Sequence, residues 1–219
     1  MTPITRRSLF GSLGLLLDAG APDWIGVTGE PVPAFCWSRE GDALHALAPR
    51  PAFQDLRTAE EVGDFEFEFE FRLAAGANSG VKYMIHRIDS WAQGASTGKQ
   101  ARARGFEFQL IDDNAEDALR DQTHVTGALY GIAAPSRRPP NAADGRYHAG
   151  SVVRRGALVR HSVDGQLLLE ARLDAPEVQA LCAKRKIPPY SELAAKKSPV
   201  ALQHHNSEVW FRNLRLRVL

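Results

Sequence analysis

Hydrophobic and polar residues alternate with a period of two along most of this chain. In Phe65-Glu66-Phe67-Glu68-Phe69-Glu70-Phe71-Arg72-Leu73 every aromatic falls on one face and every charge on the other. A strand sorts residues this way, and a helix of period 3.6 does not. Gly76-Ala77-Asn78-Ser79-Gly80 reads as a turn, with Val81 to Ile88 as the second arm of a long hairpin. Gly105 to Ile111 alternates again, setting Phe106, Phe108 and Leu110 opposite Glu107 and Gln109, and Ala128 to Ala133 reads as a short apolar strand. Arg146 to Arg154, Ala157 to Val163 and Gln166 to Leu173 form a meander that turns at Arg155-Gly156 and Asp164-Gly165. Asp-Gly is a strong hairpin signal because both residues tolerate positive φ. Val200 to Gln203 and Val209 to Val218 close the series.

Two segments interrupt it. Asp89 to Arg104 is polar and reads as a loop over one end of a sheet, while Pro176 to Lys197 has room for a short helix opened by its proline. About ten short strands, with no tandem repeat and no linker, predict an all-β fold: one antiparallel β-sandwich domain over residues 22–219. One sheet would pack the core with its inner face, and the other, curved and polar, would form a cleft.

The amino terminus departs from this pattern. Thr5-Arg6-Arg7-Ser8-Leu9-Phe10 carries a twin-arginine pair, an apolar stretch runs to Leu17, and Ala19-Gly20-Ala21 supplies small residues suited to cleavage. Residues 1–21 are therefore expected to be an export signal, too short for a stable bilayer anchor. That predicts a periplasmic or otherwise extracytoplasmic protein with no integral membrane span after signal removal. The competing reading is an amphipathic amino-terminal helix.

Composition narrows the partners. With 27 Lys and Arg against 26 Asp and Glu, the chain lacks the basic excess that a nucleic-acid grip requires. A mean hydropathy of −0.28 excludes a polytopic membrane protein. Cys36 and Cys182 are the only cysteines. One disulfide is permitted in an oxidising compartment, but two separate buried thiols are the favoured reading.

The strand sequences, in order, resemble the 3-keto-disaccharide hydrolase domain family. The resemblance opens with Gly63-Asp64-Phe65, Phe71-Arg72-Leu73 and Asn78-Ser79-Gly80-Val81-Lys82-Tyr83. It continues through Gly105-Phe106-Glu107-Phe108-Gln109-Leu110-Ile111-Asp112-Asp113 and Thr126-Gly127-Ala128-Leu129-Tyr130-Gly131. Val152-Val153-Arg154-Arg155-Gly156 with His161, and Val209-Trp210-Phe211-Arg212-Asn213-Leu214, complete it from about Phe35 to Leu219. The chain departs from the family at Asp164-Gly165 (Asn-Gly in the family), at Tyr147-His148 (Trp-Asn), and at Gln203-His204-His205-Asn206, where the family has Gln-Asp-His-Gly. His204 thus stands in place of an aspartate. The resemblance implies a concanavalin-like jelly roll acting on glycosides whose C3 hydroxyl has been oxidised to a ketone. It also implies an exported sugar oxidoreductase as the partner that supplies the substrate.

A C3 ketone acidifies the hydrogen on C2, so the expected chemistry is deprotonation, expulsion of the C1 substituent and hydration. It needs a base, a cradle for the enolate oxygen and a proton source. Glu107 is the first candidate base, with His161 and His205 as candidate proton carriers. Glu70, Asn78, Lys82, Gln109, Tyr130, Gln203 and Arg212 are candidate substrate-binding residues, Lys82 to polarise the ketone and Tyr130, with Trp210, to stack a pyranose. His204 should point away from His205 on a regular strand. Glu66 and Glu68 read as solubilising. No cofactor is certain: the acidic run Asp112-Asp113-Asn114-Ala115-Glu116-Asp117 lacks the glycine of an EF-hand loop, and a divalent ion there stays open beside a plain solvated loop.

Two other functions compete. A retaining β-glucanase on the same fold would need Glu-x-Asp-x-x-Glu, where this chain has Glu107-Phe108-Gln109-Leu110-Ile111-Asp112. A lectin-like module would use the same cleft only to hold a glycan.

Overall fold

The computed structural model describes residues 20–92 and 99–219, so the expected export signal lies outside the described residues except for Gly20 and Ala21. In chain order the first strands are β1 (Trp24–Gly26), β2 (Trp37–Glu40), β3 (Ala43–Ala46), β4 (Leu56–Thr58), β5 (Phe65–Leu73), β6 (Asn78–Ala92) and β7 (Lys99–Ile111). They are followed by β8 (His148–Arg155), β9 (Leu158–Val163), β10 (Gln166–Arg172), helices α1 (Pro176–Lys184) and α2 (Tyr190–Leu193), and strands β11 (Ala201–Leu202) and β12 (Val209–Val218). A five-stranded sheet runs β1-β4-β11-β6-β7 and a seven-stranded sheet runs β10-β9-β8-β5-β12-β3-β2. Every ladder between these strands is antiparallel. This is the expected all-β sandwich of jelly-roll type.

The aromatic face of β5 builds the core. Phe65, Phe67, Phe69 and Phe71 are all buried, and they meet β6 and β7 across the sandwich, with Phe69 edge-on to Phe108 at 5.9 Å and Phe65 edge-on to Tyr83 at 6.0 Å. Each such ring contributes roughly 1.5–3 kcal/mol by leaving water. The turn chemistry of the meander is as read: Asp164 and Gly165 have φ of 49° and 74°, and Gly156 has 55°.

Three expectations are corrected. β5 and β6 are not a hairpin, because the chain at Ala74–Ala77 crosses from one sheet to the other and the two strands face each other through the core. The true hairpin is β6–β7, and its polar ends replace the expected 89–104 loop. Residues out to Ala92 and back from Lys99 are paired, and Asp89 bridges Arg87 and Arg104 at 2.6 and 2.7 Å. Ala128–Ala133 is no strand but a tight turn laid along β7, with Leu129 bridged to both Phe108 and Ala133. The short strands β1 to β4 were not foreseen, since three or four residues give too little alternation to register.

Between β10 and β11 lie two helices rather than one, α1 opened by Pro176. Both cysteines are free and buried, with burial pushing the Cys36 thiol up to about 12. Among the described residues no helix is long and apolar enough to cross a membrane.

Candidate functional site

The pairing of β6 with β7 sets Lys82 opposite Glu107 and Gly80 opposite Gln109. Because alternate side chains share a face, Asn78, Lys82, Glu107 and Gln109 emerge together on the outer side of the five-stranded sheet, while Val81, Tyr83, Phe106 and Phe108 fill the core. On the other flank of β6, Gln203 donates its backbone N–H to the Gly80 carbonyl at 2.8 Å, which brings Gln203 and His205 to the same cleft. Above β7, the backbone N–H of Tyr130 donates to the Glu107 carbonyl at 3.0 Å and sets the phenol over the rim. The resulting cavity is about 220 Å³.

Glycine makes room for the carboxylate. A Cβ on Gly80 would lie 2.6 Å from Glu107 Oε1 and 2.9 Å from the Phe108 carbonyl oxygen, so only a bare α-carbon leaves Glu107 its place. A second glycine permits a bulge beside the cleft. Met84, Ile85 and His86 occupy the interval that Gly105 alone fills on β7, with Met84 at φ 49°. A Cβ on Gly105 would collide with the Tyr83 carbonyl. The bulge brings His86 to the cavity, with its Nδ1 buried and unpartnered.

Beneath the cleft sits a buried ion pair. Lys82 Nζ is 2.8 Å from Asp55 Oδ2, and Asp55, fully buried, also accepts the backbone N–H groups of Ala103 and His204 at 2.9 Å each. Asn78 donates to Asp117 at 3.1 Å and accepts from Gln109 Nε2 at 3.0 Å. That chain fixes the Gln109 amide and leaves its Oε1 buried without a partner, as is the Oε1 of Gln203. Unpaired acceptors of this kind are costly in a closed core and useful where a ligand hydroxyl arrives.

The electrostatics single out Glu107. Burial raises its pKa from 4.5 to about 7, against the opposing pull of Lys82. Burial, then Arg102 and Lys82, hold His205 below its ordinary range and favour its neutral form. Tyr130 is shifted upward by burial and by Glu107. A poised carboxylate facing an ammonium across a strand pair can take a proton from a carbon acid and offset the charge that develops.

Residues 16–217 match the 3-keto-alpha-glucoside-1,2-lyase-like domain. The chain belongs to that family. A 3-keto-disaccharide hydrolase of Bacteroides thetaiotaomicron is 26% identical over 182 residues, covering 75% of this chain; the chain spans 62% of that relative's length. A structure assigned as a glycosyl hydrolase from Parabacteroides distasonis matches with a TM-score of 0.71 at 19% identity, covering 90% of this chain and 88% of the other. The carbohydrate-binding module CBM66 of Bacillus subtilis matches at 0.53 with 10% identity, covering 90% and 96%. Both share the fold.

Within this 3-keto-glucoside lyase-like domain, Glu107, His205, Asn78, Lys82, Gln109, Tyr130 and Gln203 line the one cavity. The other three expected residues lie elsewhere. His161 is fully buried, stacked on Phe108 at 4.5 Å, donating from Nδ1 to the Gly127 carbonyl and accepting the Tyr83 hydroxyl at Nε2. Burial lowers its pKa to about 4, and it is a core residue. Glu70 and Arg212 sit on the outer face of the seven-stranded sheet, bound to each other at 2.7 Å. Trp210 offers no open ring there: His45 stacks on it at 4.2 Å from β3, and the Arg72 guanidinium lies 4.0 Å from its centroid from β5.

His204, expected to point away from His205, does turn away from the cleft. It is buried against Phe53 and Trp37, donates from Nε2 to the Cys36 carbonyl, and accepts the Asn206 N–H at Nδ1. In the acidic run, Asp112 accepts from Gly76, Asn114 and Asn141 and serves as a loop hub. Among the described residues no group of three or more His, Cys, Asp or Glu is arranged to hold a metal ion. Sequence reading missed Asp55, His86, Arg102 and Arg185. The last stands just past α1, its guanidinium 5.0 Å from the Tyr130 ring centroid.

Proposed function

We propose that this domain hydrolyses 3-keto-glycosides through elimination and hydration, with Glu107 as the base. Glu107 removes the C2 proton, and the electron pair forms the enolate toward the C3 oxygen. Collapse of the enolate restores the ketone, forms the C1–C2 double bond and breaks the bond from C1 to the leaving oxygen, which takes up a proton. Water then adds its oxygen to C1 and its proton to C2. Lys82, whose ammonium keeps donors beyond the one given to Asp55, offsets the enolate charge. The free carbonyls of Gln109 and Gln203 accept sugar hydroxyls, and His205 relays the proton to the departing group.

The observation that carries this reading is a carboxyl raised to about 7, facing Lys82 in a cavity within the family-matched region. Among the described residues Glu107 is the lone carboxylate lining that cavity, so a two-carboxylate glucanase mechanism lacks its second member there. The decisive experiment incubates the full chain with a disaccharide and with its 3-keto derivative in deuterated water. Cleavage of the keto sugar alone, with deuterium at C2, supports the proposal. Cleavage of the unoxidised sugar, or binding without turnover, sinks it. A sugar oxidoreductase would supply the ketone, and the twin-arginine leader would carry the domain to an extracytoplasmic compartment. Fractionating cells that express the tagged full chain, with Arg6 and Arg7 intact or changed to lysine, tests the second point.

A further inference from the structure

The rim of the cavity is cationic beyond what the reaction above requires. Of its basic residues, Lys82 is paired with Asp55, and Arg87 and Arg104 share Asp89. Arg102, Arg185 and Lys186 have no carboxylate within ion-pair distance among the described residues; Asp55 and Glu107 act on Arg102 from further off, and Glu107 is the one described carboxylate that lines the cavity beside them. Near neutrality Glu107 itself is only partly ionised. A neutral keto sugar presents hydroxyl, ether and ketone oxygens to this surface but no charge.

Both guanidinium groups lie against aromatic rings, Arg102 half-buried and Arg185 exposed. Arg102 is half-buried, with its carbon 5.0 Å from the Phe53 centroid and 5.7 Å from that of Trp91, and its Nε is buried without an acceptor. Arg185 lies over Tyr130 and against Gly131, whose φ is 63°; a Cβ there would collide with the guanidinium. Aromatic faces orient a guanidinium without satisfying its N–H donors, and these donors match the paired oxygens of an oxyanion. We propose that the glycoside accepted here carries an anionic substituent, a carboxylate or a sulfate or phosphate ester, bound by Arg102 and Arg185. This deepens the preceding section and rests on its reading of the cavity as a glycoside site.

Calorimetric titration of the full chain with methyl glucoside, methyl glucuronide, glucose 6-sulfate and glucose 6-phosphate tests the proposal. At least one anionic sugar should bind ten-fold or more tightly than methyl glucoside, the advantage shrinking as salt rises, and the tightest of the three identifies the anion. In Arg102→Met/Arg185→Met the ratio should fall to near one, while Arg102→Lys/Arg185→Lys retains part of it. Melting curves establish that both variants fold. Equal binding of neutral and anionic sugars overturns the proposal, as does a preference that survives the double methionine variant. Turnover separates the two claims: anionic preference without cleavage of any keto sugar upholds this one and removes the hydrolase. Cleavage of neutral keto sugars with no anionic preference does the reverse.

Discussion

The two sheets present outer faces of similar composition and opposite character. On the seven-stranded sheet three of the four carboxylates of β2 and β5 are paired, Glu66 by Arg217 at 3.0 Å, Glu70 by Arg212 and Asn213, Glu40 by His45 and Trp210, while Glu68 stands exposed to solvent. Arg72, Trp210 and His45 lie in a ladder across neighbouring strands, ring against ring and guanidinium against ring, and the buried atoms left without a hydrogen bond on this face, His45 Nε2, Arg72 Nε and Arg217 Nε, all belong to basic side chains. On the five-stranded sheet the unmatched atoms include acceptors. Gln109 and Gln203 keep free carbonyl oxygens, His86 keeps a free ring nitrogen, and Glu107 is half-buried with its ionisation suppressed. A charged face is a solubilising surface when its charges satisfy one another. It becomes a binding surface when a wall of chain shields it and leaves donors and acceptors unmatched.

The sharpest way to break this contrast is at Glu107. Glu107→Gln should lower kcat/KM on a 3-keto-disaccharide by about 10²–10⁴-fold with the fold intact, as removal of a general base does. Progress curves and a circular dichroism spectrum check it, and activity within threefold of the parent would remove Glu107 from the mechanism. Lys82→Met tests the layer below. Stranding the fully buried Asp55 should cost about 3–5 kcal/mol of stability, and urea unfolding with no loss would mean that the pair is not isolated from water.

The third expectation is a pH dependence. The reaction rate should rise with pH through about 7 as Glu107 ionises. Stability should move the other way. Between 4.5 and about 7 the folded chain holds a proton that the unfolded chain has released, so stability falls as pH rises across that window. Glu107→Gln should flatten this decline in melting temperature between pH 5 and pH 8, and an unchanged slope would count against the shift. The smallest effect belongs to the other face. Arg212→Ala should change stability by less than about 1 kcal/mol and turnover by less than twofold. A larger loss of turnover would mean that the seven-stranded face takes part in the reaction.

Much of this was legible because alternation carries it. β12 occupies the residues that its pattern marked, and the phase of Gly105 to Ile111 put Glu107 and Gln109 on one side and the phenylalanines on the other. The same logic, carried further, would have placed His161. It falls in phase with Val159 and Val163, both buried, and so belongs to the inner face of β9. Glu70 likewise shares its face with Glu66 and Glu68 and stands in register with Arg212 on β12. Asp55 and Arg185 gave no such signal. Their place depends on how loops close around the sheet, and local period does not encode that. The β5–β6 reading failed for a related reason: a turn between two strands looks the same whether they pair or pack.

The position of β11 has a consequence for biosynthesis. This two-residue strand is threaded between β4 and β6, yet more than a hundred residues separate it from both. A nascent chain that has not yet extruded Ala201 must leave a gap in the middle of the smaller sheet, with the inner edge of β6 exposed at the ribosome. Gln203 and His205 arrive with that same short segment, so no partly translated molecule can acquire a working cleft. Ribosome-stalled chains extended by a carboxy-terminal linker too short or long enough to bring Leu202 out of the exit tunnel should therefore differ abruptly in protease resistance; a gradual increase would argue against this late closure.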